Sequence, residues 1–147
     1  ALLLRTIEEL RADQIARVMQ IEAAEASVSL DAEHPVMGDW DEFRIEQVVS
    51  NLLTNALRYG AKSPITLKVY SENGEARVEV RDFGIGISEE NQQRIFQQFE
   101  RVSANHVATG LGLGLFISEQ IVAAHGGTII VESRIGEGAL FRVCLPL

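Results

Sequence analysis

Two pairs of strand-like segments constrain most strongly what this chain can fold into. Polar and apolar residues alternate over 65–70 and 76–82, on either side of the turn sequence Glu-Asn-Gly-Glu. A second pair, 128–133 and 139–145, flanks a Gly-Glu-Gly turn. Strict alternation around a short glycine-containing turn is typical of a β-hairpin. We therefore predict two hairpins with antiparallel pairing within each.

Helices are predicted between and beside these hairpins. Asp39 or Asp41 can cap a helix that ends before Gly60. The other predicted segments are, in chain order, one helix or two over 3–26, short strands over 27–30 and 35–38, helices over 41–59, 89–99 and 111–125, and a loop over 100–109. Helices combined with antiparallel hairpins indicate an α+β protein, in which helices cover one face of a sheet.

Composition and charge exclude several classes of function. The chain has 147 residues, of which 46% are hydrophobic, enough for one domain with a real core. Its net charge of −8 argues against nucleic acid as a partner, because neutralising a phosphate backbone needs clustered Lys and Arg. A mononucleotide ligand is compatible with this net charge, since a metal ion and a few hydrogen-bond donors can neutralise its phosphates locally. The single cysteine, Cys144, lies in a strand-like stretch and is interpreted as a small core residue.

No apolar run approaches the roughly 20 residues that span a bilayer, and no export signal is visible. We therefore expect a cytoplasmic domain without direct membrane contact, although its parent protein can be anchored in a membrane.

The helix predicted over 41–59 carries an unusual polar edge. Its apolar stripe is Ile45, Val48, Val49, Leu52 and Ala56, and the polar residues beside that stripe are Gln47, Asn51, Asn55 and Arg58. Asparagine costs roughly 0.5–0.7 kcal/mol in a helix relative to alanine, so two of them one turn apart indicate a role at the surface. An Asn carbonyl suits magnesium, Arg58 can meet a phosphate, and Tyr59 can pack on a base. An ordinary solvated helix edge is the alternative.

The first glycine-rich segment, 82–87, has the sequence Asp-Phe-Gly-Ile-Gly-Ile and connects a predicted strand to a predicted helix. Glycines two residues apart let the backbone approach a flat ligand. An ionised aspartate is an acceptor that suits an exocyclic amine such as that of adenine. A plain strand-to-helix turn, in which Ser88 caps the helix, is the alternative.

The second glycine-rich segment, 110–115, has the sequence Gly-Leu-Gly-Leu-Gly-Leu and opens the last helix. Backbone N–H groups at a helix start form a site for phosphate. The dinucleotide pattern G-x-G-x-x-G is not met, because Ile117 stands where its third glycine belongs. No Gly-Lys-Ser/Thr of a P-loop follows either. Close helix packing through small residues is the alternative.

In this order the segments resemble the ATP-binding catalytic domain of bacterial sensor histidine kinases. That family lies within a wider ATPase superfamily that includes DNA gyrase, the MutL mismatch-repair proteins and a heat-shock chaperone. Residues 51–59 look like the N box, 82–86 like the G1 box, Phe96-x-x-Phe99 like the F box, and 110–115 like the G2 box. Further matches are His125-Gly-Gly, Gly136-x-Gly138, Phe141 and Leu145-Pro146.

The resemblance covers nearly the whole chain and implies its fold. The expected fold is a two-layer α/β sandwich of the Bergerat type, with a mixed, mostly antiparallel sheet of about five strands under about three helices. Residues 1–147 are expected to form one catalytic domain, in which about the first ten can be the end of a linker to a dimerisation domain.

The resemblance also implies roles for individual residues. Asn55 would coordinate Mg²⁺ and Asn51 would support the ion or its waters. Asp82 would accept from the adenine amino group, and residues 100–110 would form a lid over ATP. The residues with an expected catalytic role are Asn51, Asn55, Arg58 and Arg101, the last as a candidate for the γ-phosphate. The other expected nucleotide contacts are Tyr59, Asp82, Gly84, Gly86, Ile87, Phe99, Thr109, Gly110, Leu111, Gly112, Leu113, Gly114 and Ala139.

Two positions depart from the family pattern. Ala139 stands where the family often has Thr or Ser, so one polar contact near the adenine is expected to be lost or made through water. Asn51 stands where the superfamily's ATPases carry a catalytic glutamate, one turn before the magnesium-binding Asn. Without that carboxylate a hydrolytic water is activated less, which favours a kinase over a self-sufficient ATPase.

None of the three histidines suits a phosphoacceptor. His34 precedes Pro35, which disfavours a helix there. His106 lies in the expected lid, and His125 lies in the last turn of a helix. The acceptor is therefore expected on a separate dimerisation domain of the same kinase, with a response regulator as an indirect partner. The isolated domain is expected to be monomeric and its parent homodimeric.

Two other functions stay open at this point. One is a superfamily ATPase or an anti-sigma-factor-type serine kinase. The other is a nucleotide-binding module without transfer activity.

Overall fold

A computed structural model of the protein describes residues 3–6, 28–31, 36–59, 64–97 and 114–147. The elements within these residues are, in chain order, β1 (Leu3–Thr6), β2 (Val28–Asp31), β3 (Met37–Trp40), α1 (Glu42–Tyr59), β4 (Ile65–Glu72), β5 (Glu75–Asp82), α2 (Glu89–Gln92), α3 (Gly114–Ala124), β6 (Thr128–Ser133) and β7 (Ala139–Pro146).

Five strands form one mixed sheet in the order β2-β4-β5-β7-β6. β2 runs parallel to β4, whereas the remaining neighbours are antiparallel. Both predicted hairpins are confirmed. Asn73 and Gly74 join β4 to β5 with φ of 54° and 76°, the left-handed backbone that a tight hairpin turn needs. The predicted α+β class, with a mostly antiparallel sheet and helices packed on it, is confirmed.

The helix predicted over 41–59 is also confirmed. The Oδ1 atom of Asp41 accepts hydrogen bonds from the backbone N–H of Phe43 at 3.1 Å and of Arg44 at 3.2 Å. Asp41, rather than Asp39, is therefore the N-cap of α1. α3 lies within the predicted 111–125 and is followed by Gly126, whose φ is 77°. Residues 111–113 lie outside the described part of the chain.

The apolar stripe of α1 lies in the core between helix and sheet. Its five residues, named above, are each at most 3% exposed. The sheet residues that are buried with them are Ile65, Leu67 and Val69 on β4, Ala76, Val78 and Val80 on β5, Ile129 on β6, and Ala139, Phe141, Val143 and Leu145 on β7. Cys144 is buried and free, which confirms its interpretation as a core residue. Within the described residues, none of the helices is long and apolar enough to cross a membrane.

A charged network lies beside this core, on the alternate positions of the central strands. Glu79 accepts from the Tyr70 hydroxyl at 2.6 Å and from Arg142 Nε at 2.7 Å. Burial alone would raise the pKa of Glu79, but these two hydrogen bonds hold it below its ordinary value. The network therefore satisfies a partly buried carboxylate and is interpreted as part of the sheet's own architecture.

Two helix predictions were wrong in part. Leu3–Thr6 form a strand that pairs antiparallel with β3, not the start of a helix, and residues 7–27 lie outside the described part. Apolar spacing reflects only the local preference for a helix, whereas pairing with β3 determines the strand conformation of Leu3–Thr6. α2 ends at Gln92, because the chain then tightens into three-residue turns in which Arg94 N–H donates to the Asn91 carbonyl. The strands β2 and β3 lie one and two residues later than predicted.

Candidate functional site

The polar edge of α1 faces the first turn of α3. Asn51 is half-buried, and its Nδ2 atom donates to the Gly114 carbonyl oxygen and to Ser118 Oγ, each at 3.2 Å. Asn55, one turn further along α1, is half-buried as well, and Arg58 and Tyr59 form the last turn of the helix. An ordinary solvated edge would leave these amides to water. The edge of α1 is instead part of a helix–helix contact at the opening of α3.

Asp82 lies at the end of β5 with only 4% of its surface exposed. Its Oδ1 atom accepts from the Gly84 backbone N–H at 2.9 Å, and it is the register partner of Ala139 on β7. Burial raises the pKa of this carboxyl, and the N–H groups of Gly84 and Ala139 oppose the rise. The structure therefore supplies a buried acceptor whose charge is only partly compensated by the protein.

The fold itself demands glycine at two positions near Asp82. Gly86 has φ of 75°, and a Cβ there would collide with the carbonyl oxygen of Arg134. Gly138 has φ of 81°, and a Cβ there would collide with the carbonyl oxygen of Asp82. From the sequence, Gly86 is expected to give a ligand access to the backbone. The structure adds a separate cause, which is the close approach of the loop after β6.

Gly114 differs from these glycines. It is exposed, and a Cβ added to it would lie 3.8 Å from Asn51 Cγ, an ordinary van der Waals distance. No left-handed φ is found at this position. Nothing among the described residues therefore requires glycine at the start of α3.

Two polar side chains that the sequence analysis missed brace the segment after Asp82. Ser133 Oγ accepts from the Ile87 backbone N–H at 2.8 Å and donates to the Gly138 carbonyl. Gln92 Nε2 donates to the carbonyls of Ile87 and Ser133 at 2.9 and 2.8 Å. These bonds join the G1-like segment to the β6–β7 turn. No local pattern marks either residue, because each partner lies far away or in a loop.

Ser118 was missed too, although a signal existed. It falls three and four residues before Ile121 and Val122, on the inward face of α3, where helical spacing predicts an apolar residue. Ser118 is 0% exposed. Together with Asp82 it makes up the buried polar residues of the described chain, and both lie at the candidate site.

His125 is held by both ring nitrogens. Its Nε2 atom accepts from the Asp41 backbone N–H at 3.1 Å, and Nδ1 lies 2.8 Å from the Ile121 carbonyl oxygen. Because an acceptor is needed at Nε2, Nδ1 carries the proton. The ring thus joins the end of α3 to the start of α1. This engagement agrees with the expectation that His125 is not a phosphoacceptor.

The described predicted residues fall into two groups, which we call the Asn51 side and the Asp82 side. The Asn51 side comprises Asn51, Asn55 and Gly114, and the Asp82 side comprises Asp82, Gly84, Gly86, Ile87 and Ala139. Phe96, of the F-box-like pair, packs edge to face on Phe141 with ring centroids 6.3 Å apart. The predictions for Phe99, Arg101, Thr109, Gly110, Leu111, Gly112 and Leu113 fall on residues outside the described part of the chain.

A groove of about 400 Å³ opens beside the β6–β7 turn, with Arg81, Glu132 and Arg134 among its lining residues. Of the predicted site residues it includes only Ala139. The remaining described site residues do not line this groove.

Comparison with known proteins places these motifs in context. Residues 40–147 match the family described as histidine kinase-, DNA gyrase B- and HSP90-like ATPases. The circadian input-output histidine kinase CikA of Synechococcus elongatus is 38% identical over 109 residues, which cover 72% of this chain. The chain spans only 14% of the length of that protein.

Solved structures agree with this match. The catalytic domain of histidine kinase ThkA superposes with a TM-score of 0.84 at 25% identity, covering 99% of this chain and 95% of that one. Full-length ShkA, solved in complex with AMPPNP, superposes with a TM-score of 0.81 at 30% identity. That match covers 99% of this chain and 31% of ShkA.

Proposed function

The chain belongs to the family of histidine kinase-, DNA gyrase B- and HSP90-like ATPases, and from that premise we propose that it binds ATP with Mg²⁺ and presents the γ-phosphate to a histidine of a separate dimerisation domain. Its resemblance to the catalytic domains of sensor histidine kinases is confirmed by the relatives. The activity proposed here is that of a longer protein such as CikA, of whose length the chain spans only 14%.

One observation carries the proposal: the half-buried amide of Asn51 on α1 contacts an exposed glycine, Gly114, at the start of α3. Nothing among the described residues requires glycine there, and we attribute the Cβ-free surface at Gly114 to the approach of a ligand from outside the chain. The N-terminal end of an eleven-residue helix attracts anions through its free N–H groups and its dipole. A triphosphate beside Gly114 would meet both that helix end and the amide edge of α1. ShkA, which has the same fold, was solved with a triphosphate analogue of ATP.

The Asp82 side supplies the adenine end of the proposed site. A buried carboxylate oxygen accepts from the exocyclic amine, and the backbone around Gly84 lies within hydrogen-bonding distance of that carboxylate. Ile87, half-buried, and Ala139, 6% exposed, offer apolar contact to a base. We extend the proposal to Gly86 at the same end, to Arg58 and Tyr59 at the end of α1, and to the lid and G2 positions Phe99, Arg101, Thr109, Gly110, Leu111, Gly112 and Leu113.

The metal is proposed to be held mainly by the nucleotide and by one amide. Within the described residues, no group of three or more His, Cys, Asp and Glu could hold a metal ion. Magnesium accepts few protein ligands and is commonly bound through one or two protein oxygens and substrate phosphates. The half-buried Asn55 fits that requirement. When bound, the ion neutralises charge on the phosphates, which matters in a chain of net charge −8.

Transfer requires a nucleophile from outside the site. A histidine nitrogen of the dimerisation domain attacks the γ-phosphorus, the bond from that phosphorus to the β,γ-bridging oxygen breaks, and ADP leaves. The chain's residues position the phosphates and disfavour the competing reaction, which is hydrolysis of ATP by water. Asn51 cannot take a proton from water as a glutamate can, and its Nδ2 is committed to α3. The arrangement therefore favours a kinase over an ATPase.

The remaining expectations are proposals on the same basis. We propose that residues 1–147 act as one catalytic domain, monomeric alone and part of a homodimeric parent that serves a response regulator. Because ATP is an intracellular substrate, the domain is proposed to work on the cytoplasmic side.

The metal assignment is tested by calorimetry of ATP binding with and without Mg²⁺. Asn55→Ala is expected to lose most of the Mg²⁺-dependent gain in affinity, by about tenfold. Gln47→Ala is the matched control, because Gln47 lies on the same edge but bonds only to Arg44 at 3.3 Å among the described contacts. Full Mg²⁺ dependence in Asn55→Ala would overturn the assignment.

The transfer reaction is tested with γ-labelled ATP. The chain alone is expected to stay unlabelled and to label an added dimerisation domain of its parent. Strong self-labelling would mean that His34, His106 or His125 is an acceptor. Steady phosphate release without any acceptor would favour the ATPase alternative.

A further inference from the structure

Ser118 is a buried serine whose hydroxyl bonds to a side chain of another helix, α1. Its Oγ accepts from Asn51 Nδ2 at 3.2 Å, and no part of the residue is exposed. A helical serine commonly bonds back to the carbonyl four residues earlier, here that of Gly114. In this structure both Gly114 O and Ser118 Oγ accept hydrogen bonds from the Asn51 amide. Serine at this position therefore connects α3 to α1.

The two acceptors decide which way the Asn51 amide points. A backbone carbonyl can only accept, so Gly114 O selects Nδ2 over Oδ1. The Ser118 hydroxyl takes the second N–H, and the two hydrogens of Nδ2 then each have an acceptor. The amide is planar, so its Oδ1 is turned away from α3. An apolar residue at 118 would leave one of these hydrogens without a partner.

We propose that Ser118 is a positioning residue that, together with the Gly114 carbonyl, holds the Asn51 amide with its carbonyl oxygen turned away from α3 and towards the metal or a metal-bound water. The inference rests on the proposed function, because it concerns the use of Asn51 in the Mg-ATP site. Ser118 itself touches neither nucleotide nor metal and acts through Asn51. The same Nδ2 atom of Asn51 also donates to the Gly114 carbonyl, so the amide ties the first residue of α3 to α1.

The first measurement needs no nucleotide. In Ser118→Ala the side-chain N–H resonances of Asn51 are expected to move and to exchange faster with water, whereas Ser71→Ala, at an exposed position on β4, leaves them in place. Unchanged Asn51 resonances in Ser118→Ala would overturn the contact itself, whatever the protein binds.

The second measurement is ATP affinity by calorimetry with Mg²⁺ and with EDTA. Ser118→Ala is expected to weaken binding about tenfold with Mg²⁺ and to leave binding in EDTA unchanged. A purely structural role would weaken both equally and would overturn the proposal. Ser118→Cys, which keeps the volume and a weak acceptor, is expected to restore part of the Mg²⁺ dependence and covers the case in which Ser118→Ala folds poorly.

A double-mutant cycle separates this inference from the proposed function. If Ser118 acts through Asn51, adding Ser118→Ala to Asn51→Ala has no further effect on Mg²⁺ dependence. Additive effects would overturn the positioning role while leaving Mg-ATP binding intact. If the wild-type chain binds no Mg-ATP, the proposed function fails, and the Asn51 resonances still decide whether Ser118 orients the amide.

Discussion

The two sides of the candidate site are built in different ways. The Asp82 side is braced by close contacts of main chain with main chain at Gly86 and Gly138, and by hydrogen bonds from the Ser133 and Gln92 side chains to the backbone. The Asn51 side is joined by side-chain bonds of Asn51, and among the described residues a Cβ added at Gly114 would meet only an ordinary contact with Asn51. One sequence signal, glycines spaced two apart, thus has two physical causes. On the Asp82 side the fold selects glycine, and on the Asn51 side we infer that the ligand does.

Because of this difference, substitutions on the two sides should affect either the stability of the chain or its binding of nucleotide. A substitution on the Asp82 side should lower the free energy of unfolding before any ligand is added. A substitution at Gly114 should be visible only when nucleotide is present. The predictions that follow run from the largest expected change in stability to the smallest.

Gly86→Ala is expected to lower the free energy of unfolding by about 3 kcal/mol, measured by urea denaturation. It combines the strain of a left-handed φ, about 1–2 kcal/mol, with a collision against the Arg134 carbonyl. Gly136→Ala is the matched control, since Gly136 has φ of 84° and no atom within 4 Å of an added Cβ. It should cost about 1 kcal/mol. Equal losses in the two variants would show that the collision is relieved at no cost.

Ser133→Ala is expected to destabilise the chain by about 2 kcal/mol, because it leaves the Ile87 N–H and the Gly138 carbonyl without their partner. Ser71→Ala, an exposed serine on β4, should change stability by less than about 0.5 kcal/mol. If Ser133→Ala lowers the free energy of unfolding no more than the control does, the Ser133 hydrogen bonds do not stabilise the Asp82 side.

Asp82→Asn is expected to leave the nucleotide-free chain as stable as the wild type at neutral pH, or more stable by up to about 1 kcal/mol. Burial raises the pKa of Asp82. The ionised carboxylate therefore lowers the free energy of unfolding at every pH above that raised pKa. As the pH falls through it towards the ordinary 3.8, the side chain protonates and the difference from Asn disappears. Denaturation as a function of pH checks this, and a gap that widens towards acid would contradict it. ATP affinity should fall throughout.

Gly114→Ala is expected to change the free energy of unfolding by less than about 0.5 kcal/mol, because the added Cβ meets only an ordinary contact. ATP affinity should nevertheless fall, by about tenfold, as the methyl group occupies the surface that phosphate approaches. Denaturation and calorimetry on one preparation measure both. A destabilised variant, or one with unchanged affinity, would remove the contrast between the two sides.

Much of the fold was predictable because it follows local rules. Alternation and an Asn-Gly turn are sufficient for the β4–β5 hairpin, and a capping Asp41 with an apolar stripe is sufficient for α1. The strand at Leu3–Thr6 was not predictable in this way, because its conformation depends on pairing with β3, more than thirty residues later. α2 was predicted too long for a similar reason. Gln92 bonds to Ser133, and the chain beyond it turns.

The sequence by itself determined which chemical groups are present and in what order: two amides on one helix edge, an aspartate after a strand, and two runs of glycine. Those features were sufficient to identify the family to which the chain belongs. Only the tertiary structure decided what each group contacts. It set Asn51 against Gly114 and Ser118, and it assigned Gly86 to a close approach of Arg134. The physical reason is that hydrogen bonds and collisions depend on distances between residues remote in the chain, and local periodicity carries no such distances.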